Sequence, residues 1–470
     1  MPRRLPIITL AALLAGCATA GPDYRPPDHA VANEPMAQGG FASGAGKPFA
    51  EAPLPDHWWR LYADPRLDAL VAQALAANAD LRTADANLRR ADAVVRETAG
   101  ARALSTVVGS NDTLSRPSNT GERLPGMVGY QLGITLGYPL DLRGKLRRAI
   151  EASLADRDAV AAARDAVRVS VAAATAKAYA DVCGANYRLA VNARVVRLQT
   201  TTLTATQRLQ RGGRGTAFDV SRARTAVETS RAALPGFVAQ RRGALYLLAT
   251  LLGRPPADYP KEVETCATLP RLTRAMPIGD GAALIRRRPD IRQAERTIAA
   301  DTARIGVATA DLYPQISLGG SASVAGPLSQ IGSGSSFGLS LGPLISWSFP
   351  NRPIVRARID QAGAKVDADL ADFDATVLGA LRETETALET YARDRDRAAA
   401  LGRARDGAAL SAEQAGKLFR FGRGDFLSLL DAQRSLAQAE VAYAAATAQL
   451  ADDQIAVFLA LGGGWTRDGG

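Results

Sequence analysis

The sequence is short of several things at once. Only two histidines, His29 and His57, occur among 470 residues, and both precede the first repeated segment described below. No Cys/His spacing suits a structural or catalytic metal. Aromatic residues make up 6% of the chain. The net charge of +10 is modest for this length, and Arg is spread among Asp and Glu along helical stretches. A nucleic-acid surface calls for clustered basic residues with interleaved aromatics, so the expectation is no nucleic acid. The Gly/Ser-rich stretch 319–336 lacks a Gly-Lys-Ser/Thr ending and is no phosphate loop. No nucleophile elbow occurs. These absences argue against an enzyme, and no cofactor is expected apart from the lipid discussed next.

Long apolar runs are missing too. Arg3 and Arg4 precede the run 5–15, which is too short to span a bilayer and reads as a secretory signal. Its end, Leu14-Ala15-Gly16-Cys17, resembles a bacterial lipobox, which would leave Cys17 as a lipidated first residue. An ordinary signal peptidase site near Ala18-Thr19-Ala20 is the alternative. Ala18 is not the Asp that retains many lipoproteins at the inner membrane, so the resemblance implies the outer membrane. Segment 1–16 is read as signal peptide and 17–60 as a lipid-anchored extended segment.

What the chain does have is duplication. RLQRGGRGTAFD (Arg208 to Asp219) is answered by KLFRFGRGDFLS (Lys417 to Ser428), so that Arg211, Gly213 and Gly215 match Arg420, Gly422 and Gly424. Asn78-Ala79-Asp80-Leu81 is likewise answered by Arg288-Pro289-Asp290-Ile291. A period this long marks a duplicated domain rather than a solenoid unit. Two repeats are expected, 61–265 and 275–464.

Each repeat contains a strand pair. Apolar residues alternate with small or polar ones through 128–140 and 337–349, and again through 313–326; a weaker strand is expected over 102–114. Bilayer-crossing strands need about 9–11 tilted residues with one apolar face. Four such strands cannot close a barrel, and open edges are not tolerated in lipid. The chain must therefore oligomerise. Two copies would give an eight-stranded barrel filled by side chains, three a twelve-stranded barrel with room for a channel. A soluble sandwich is the competing account.

Helices of nearly seventy residues are then expected over 145–211 and 354–420, each roughly 100 Å long. Val366, Leu370, Phe373, Val377, Leu381, Thr384, Leu388 and Tyr391 step by four and three, a coiled-coil stripe. The chain turns back at the glycine hairpins 211–219 and 420–425 and returns as shorter helices, 218–252 and 426–461. Helical rise places Cys183 and Cys266 at similar heights above the first hairpin. A disulfide between them is expected, with two buried free thiols as the alternative.

Gly21-Pro22-Asp23-Tyr24-Arg25-Pro26-Pro27, Trp58-Trp59-Arg60-Leu61-Tyr62-Ala63-Asp64-Pro65, Leu140-Asp141-Leu142-Arg143-Gly144 and Arg287-Arg288-Pro289-Asp290-Ile291-Arg292-Gln293-Ala294 follow one another on this duplicated plan. In that order the chain resembles the outer membrane factor (TolC-like) family, in its NodT-type efflux lipoprotein branch. The resemblance implies a mixed α and β membrane protein. It would trimerise into a 12-stranded β-barrel in the outer membrane, continued by a periplasmic α-barrel of coiled helices. It implies outer membrane lipid, a periplasmic adaptor (membrane fusion) protein and an inner-membrane resistance-nodulation-division pump as partners, and the outward conduction of small toxic compounds. An exit duct for type I protein secretion and a non-channel coiled-coil lipoprotein are the alternatives.

By the same resemblance the hairpins are adaptor-contact tips, with Arg211, Gly213, Gly215, Asp219, Arg420, Gly422, Gly424 and Asp425 at the contact. A periplasmic gate would involve Asp431, Ser428 and Arg423. Asp431 falls where the family places one ring of acids. Ser428 falls where a second acid is expected, a departure that weakens any cation-binding ring. For Asp219 and Asp425, capping of the return helices is the simpler alternative, and for Asp431 a solvated helix face.

Overall fold

The computed structural model describes residues 19–46, 48–115, 118–119, 122–123 and 127–464. Cys17 lies outside the described residues. The long elements, in chain order, are α1 (Pro65–Ala77), α2 (Ala79–Gly100), β1 (Ser105–Ser115), β2 (Met127–Leu140), α3 (Lys145–Arg211), α4 (Ala217–Ala232), α5 (Leu234–Leu251), α6 (Gly281–Arg287), α7 (Pro289–Ala310), β3 (Gln315–Pro327), β4 (Phe337–Ser346), α8 (Arg352–Arg420) and α9 (Phe426–Ala460).

Two compact units emerge, and neither is one of the tandem repeats. The first is built from residues up to 28, 87–161 and 293–373; the second from 29–86, 162–292 and the segment from 374 onward. Each therefore draws on both halves of the chain. A sequence repeat records duplication, but packing is decided by which apolar faces meet, and here the two copies interleave.

The first unit carries one sheet in the order β1-β2-β3-β4, every neighbour antiparallel. Register fixes its two faces. Leu132, Ile134, Leu136 and Tyr138 of β2 lie beside Val324, Ala322, Gly320 and Leu318 of β3, which lie beside Phe337, Leu339, Leu341 and Pro343 of β4. The other face carries Gln131, Gly133, Thr135 and Gly137, then Ser323, Ser321 and Gly319, then Gly338, Ser340 and Gly342. Strand side chains alternate with period two, so on β2, β3 and β4 one face is apolar and the other mostly small and uncharged, Leu344 being its large residue, while β1 adds Asp112 beside Tyr130 on the apolar face.

The apolar face is bare. Leu132, Leu318, Leu339, Leu341 and Ile345 are all exposed, Leu341 by 88%. Among the described residues no helix is long and apolar enough to cross a membrane.

The second unit is an Ala-rich helical packing. On α3, Ala162, Ala172, Ala176, Ala178 and Val182 are fully buried, and on α8 Phe373 of the first unit and Val377, Thr384, Leu388 and Tyr391 of the second keep the predicted stripe inside. Trp58 is wholly buried, stacked on Phe458 of α9 at 4.6 Å between centroids. Tyr179 of α3 donates to the Asp64 carboxylate at 2.6 Å. That carboxylate also caps α1 by accepting from the backbone N–H of Arg66 and Leu67.

Several boundaries differ from the sequence reading. The strand expected to reach Phe349 stops at Ser346, because its partner β3 begins at Gln315 and Pro314 before it has no N–H to extend the ladder. Trp347 and Phe349 therefore lie beyond the sheet. The strand expected from 102 begins at Ser105, since α2 unwinds through tight turns ending with the Ala103 N–H on the Gly100 carbonyl. The first return helix, expected whole over 218–252, is split at Ala233, where Pro235 cannot donate to the Arg231 carbonyl. The second return has no such proline and is one 35-residue helix. The helices α1, α2, α6 and α7, ahead of each strand pair, went unassigned in the sequence.

Candidate functional site: the twin helical tips and the sheet

The two reversals in the second unit use the same hydrogen bonds. At the end of α3 the Gly213 N–H reaches the Gln210 carbonyl at 3.0 Å and the Arg214 N–H the Leu209 carbonyl at 2.9 Å. At the end of α8 the Gly422 N–H reaches the Phe419 carbonyl at 3.1 Å and the Arg423 N–H the Leu418 carbonyl at 2.9 Å. Both are Schellman stops, with the glycine in the left-handed region at φ 72° and 71°.

The second glycine of each pair serves a different purpose. A Cβ on Gly215 would stand 3.2 Å from the Gln210 backbone nitrogen, and one on Gly424 3.0 Å from Leu418 Cβ. The turn is tight enough that backbone passes against backbone. The side chains of Arg211 and Arg420 close the repetition: each Nε donates back to a carbonyl four residues earlier, Gln207 at 3.4 Å and Gly416 at 3.3 Å.

Each return helix is then capped by a carboxylate–hydroxyl pair. In the first tip Thr216 is the N-cap: its hydroxyl oxygen accepts from the Asp219 N–H at 3.1 Å, and the Thr216 N–H donates to Asp219 at 3.0 Å, a full capping box. In the second tip Asp425 is the N-cap and accepts from the Ser428 N–H at 2.8 Å. These bonds hold the Asp425 carboxyl below the usual carboxylate range, the Ser428 side chain contributing most. The capping alternative thus describes the geometry of both acids, though Asp219 occupies the third helical position rather than the cap.

The predicted gate residues are not drawn together. Ser428 is engaged with Asp425 in the cap, and Arg423 is an exposed residue of the turn. Asp431 sits one turn further up α9, exposed, with no ion pair among the described residues. Beside it a groove of about 310 Å³ lies between α3, α4 and α9, lined by Gln199, Thr225, Leu430 and Arg434. Phe421 and Phe218 stand 78% and 67% exposed at the two tips.

Higher in the same unit, Cys183 and Cys266 form a disulfide. It ties the segment after α5 to α3. The Asn186 amide also holds that segment, donating to the Glu264 and Cys266 carbonyls at 2.8 and 2.6 Å.

The first unit contains an anchor that sequence reading missed. Arg148 of α3 is 3% exposed. Its guanidinium donates to the Ala20 carbonyl at 3.0 Å, the Gly21 carbonyl at 3.3 Å, Asp23 at 2.6 Å and Glu151 at 2.8 Å. Gly21, at φ 77°, lies so close to Gly306 of α7 that a Cβ would come within 2.4 Å of its Cα. The Ala20 N–H bonds the Arg143 carbonyl at 2.9 Å, just past the end of β2. The segment following Cys17 is therefore fixed to the end of the sheet. The only sequence signal was an Arg in an Arg-rich helix, and nothing in the pattern distinguished it from its exposed neighbours.

Comparison with known proteins places these features in a family. Residues 70–254 and 282–463 both match the model of the outer membrane efflux protein family. Nodulation protein T of Rhizobium leguminosarum bv. trifolii is 29% identical over 96% of each chain. Outer membrane protein OprJ of Pseudomonas aeruginosa is 30% identical, over 97% of this chain and 95% of its own. The solved structure of the outer-membrane channel OprN superposes with a TM-score of 0.88 at 36% identity, covering 95% of this chain and all of that one.

Proposed function

The chain belongs to the outer membrane efflux protein family, and from that premise we propose that three copies assemble into one conduit through the outer membrane. It is the outer membrane channel component of an efflux system, reaching into the periplasm. The observation that carries the assembly is the sheet of the first unit. It has four antiparallel strands, a largely apolar face, a mostly small and uncharged face, and two outer strands, β1 and β4, whose far edges have no partner among the described residues. In lipid those edges must be paired. Three copies close twelve strands around a lumen lined by the small face, whereas eight strands would fill with side chains.

Cys17 carries the lipid in this reading. The tips are the contacts for a periplasmic adaptor, which joins the channel to an inner-membrane pump of the resistance-nodulation-division class. Six tips per trimer present Phe218 and Phe421, Arg211 and Arg420 to that partner. Asp431, exposed and without an ion-pair partner among the described residues, supplies one acid per copy to the pore near the tips. Ser428 supplies no second acid, being a hydroxyl, and it donates to Asp425. Small toxic compounds are the cargo.

The test is dye efflux in cells that carry the adaptor and pump but lack their own outer membrane channel. The intact chain should restore efflux. Gly424→Val, which forces a branched side chain against Leu418, should abolish it while leaving outer membrane levels unchanged. Full efflux by the Val variant would refute the tip assignment.

A further inference from the structure

One end of the sheet carries a rim of aromatic and basic side chains that conduction does not require. Register brings four strand ends together there: Ser105 pairs with Gly137, Leu140 with Ile316, and Gln315 with Ser346. Arg102 comes just before β1, Arg143 just after β2, Tyr313 just before β3, Trp347 and Phe349 just after β4, and Arg352 opens α8. Arg102 and Arg352 are exposed. The Arg143 guanidinium lies 4.2 Å over the Tyr313 ring. Trp347 and Phe349 are 51% and 72% exposed with their rings 5.2 Å apart.

The nearby acids are already engaged. Asp141 accepts from the backbone N–H groups of Leu146 and Arg147, and Asp311 pairs with Lys145 at 2.6 Å. Among the described residues no carboxylate bonds to Arg102, Arg143 or Arg352. Immediately along the apolar face stand Tyr138, Leu318 and Ile345, all exposed. The rim therefore adjoins the apolar face where Tyr138, Leu318 and Ile345 stand.

The start of the described chain lies at the same end. Thr19 packs its methyl toward Gly144, its hydroxyl accepts from Arg147 at 3.2 Å, and only Ala18 separates it from Cys17. Thr19, two positions after Cys17 in the sequence, is thus held at this end of the sheet.

We propose that this rim is a binding surface for the phosphates of anionic phospholipids in the periplasmic leaflet of the outer membrane. Guanidinium groups match phosphate geometry in a fork that no neutral donor reproduces. Aromatic rings favour the same interfacial depth. Arg102, Arg143 and Arg352 hold the headgroup phosphates, while Trp347, Phe349 and Tyr313 fill the glycerol and upper acyl level. The proposal rests on the outer membrane reading above.

The test uses the full chain with Trp465→Phe, reconstituted in phosphatidylcholine vesicles containing brominated phosphatidylglycerol or, separately, brominated phosphatidylcholine. Trp347 then reports, since Trp58 and Trp59 are buried. The expected result is preferential quenching by the phosphatidylglycerol probe, corresponding to about fivefold tighter association of that lipid for each guanidinium engaged, lost in high salt. R102Q/R143Q/R352Q should quench equally with both probes, and salt titration of the arginine-intact chain gives the same answer without that variant. Equal quenching by both probes before substitution, or a preference that survives the triple change, overturns the proposal. No quenching by either probe would instead refute the membrane placement of the sheet.

Discussion

The Ser428 hydroxyl donates to the Asp425 carboxylate at 2.6 Å, and in the other tip the Thr216 hydroxyl donates to the Asp219 carboxylate at 2.7 Å. The pair is the same but its order is reversed: acid then hydroxyl in one tip, hydroxyl then acid in the other. Duplication preserved the cap while exchanging its two halves. Asp425→Ala should therefore fray the first turn of α9, read as several-fold faster amide exchange at Leu427 to Leu429. The sign with pH follows from the lowered carboxyl: protection is complete above the ordinary carboxylate value and is lost as pH falls from there through the lowered folded value. Exchange unaffected by the substitution would remove the cap from the account.

The left-handed glycines make a second, separable prediction. Gly213→Ala and Gly422→Ala each place a side chain at φ near 70° and should cost about 1–2 kcal/mol of local stability. Neither added methyl meets another atom. Gly424→Ala adds a contact at 3.0 Å and should be worse. Ranking the three by protease nicking at the tips checks the order, with Gly424→Ala cut fastest.

Asp453 gives the helical unit a pH dependence of its own. It sits on α9, 6% exposed, and its Oδ2 has no hydrogen-bond donor among the described residues. Burial, and then the neighbouring Asp394 of α8 and Asp452, push its carboxyl up to about 6, against a hydrogen bond from Gln449 at 2.9 Å. A raised acid favours the protonated fold. Its contribution is fully present below the unfolded value near 4 and is lost as pH rises through about 6. Asp453→Asn should stabilise the fold at pH 8 by an amount on the order of 3 kcal/mol at most, read as a raised unfolding temperature, and change little at pH 4. An equal shift at both pH values would contradict this origin.

Removing the Cys183–Cys266 disulfide by paired serine substitution should cost about 2–5 kcal/mol, because it closes a long loop. The loss should concentrate in the segment after α5, which Asn186, the Arg241–Glu264 ion pair and the buried Val263 would then hold. Thermal unfolding with and without reductant checks the size, and exchange at residues 261–269 checks the place.

Much of the architecture was legible because its physics is local. Period-two alternation marked β2, β3 and β4, and the glycine pairs marked the reversals where helices must stop. The stripe from Val366 to Tyr391 marked the packed face of α8. What escaped depends on partners distant in sequence. Arg148 reads as one more surface arginine until Ala20, Gly21 and Asp23 are brought onto it. Asp453 beside Asp452 reads as solvated helix until α8 covers it. The split at Ala233 was legible, since Pro235 announces it, but the length of the helical pattern around it won. The interleaving of the repeats was not, because duplication says nothing about which faces will pair.

Electron microscopy of the full chain purified in detergent should show threefold particles with a twelve-stranded ring, β1 of one copy beside β4 of the next. Particles of one or two chains, with those edges unpaired and no ring, would contradict that assembly.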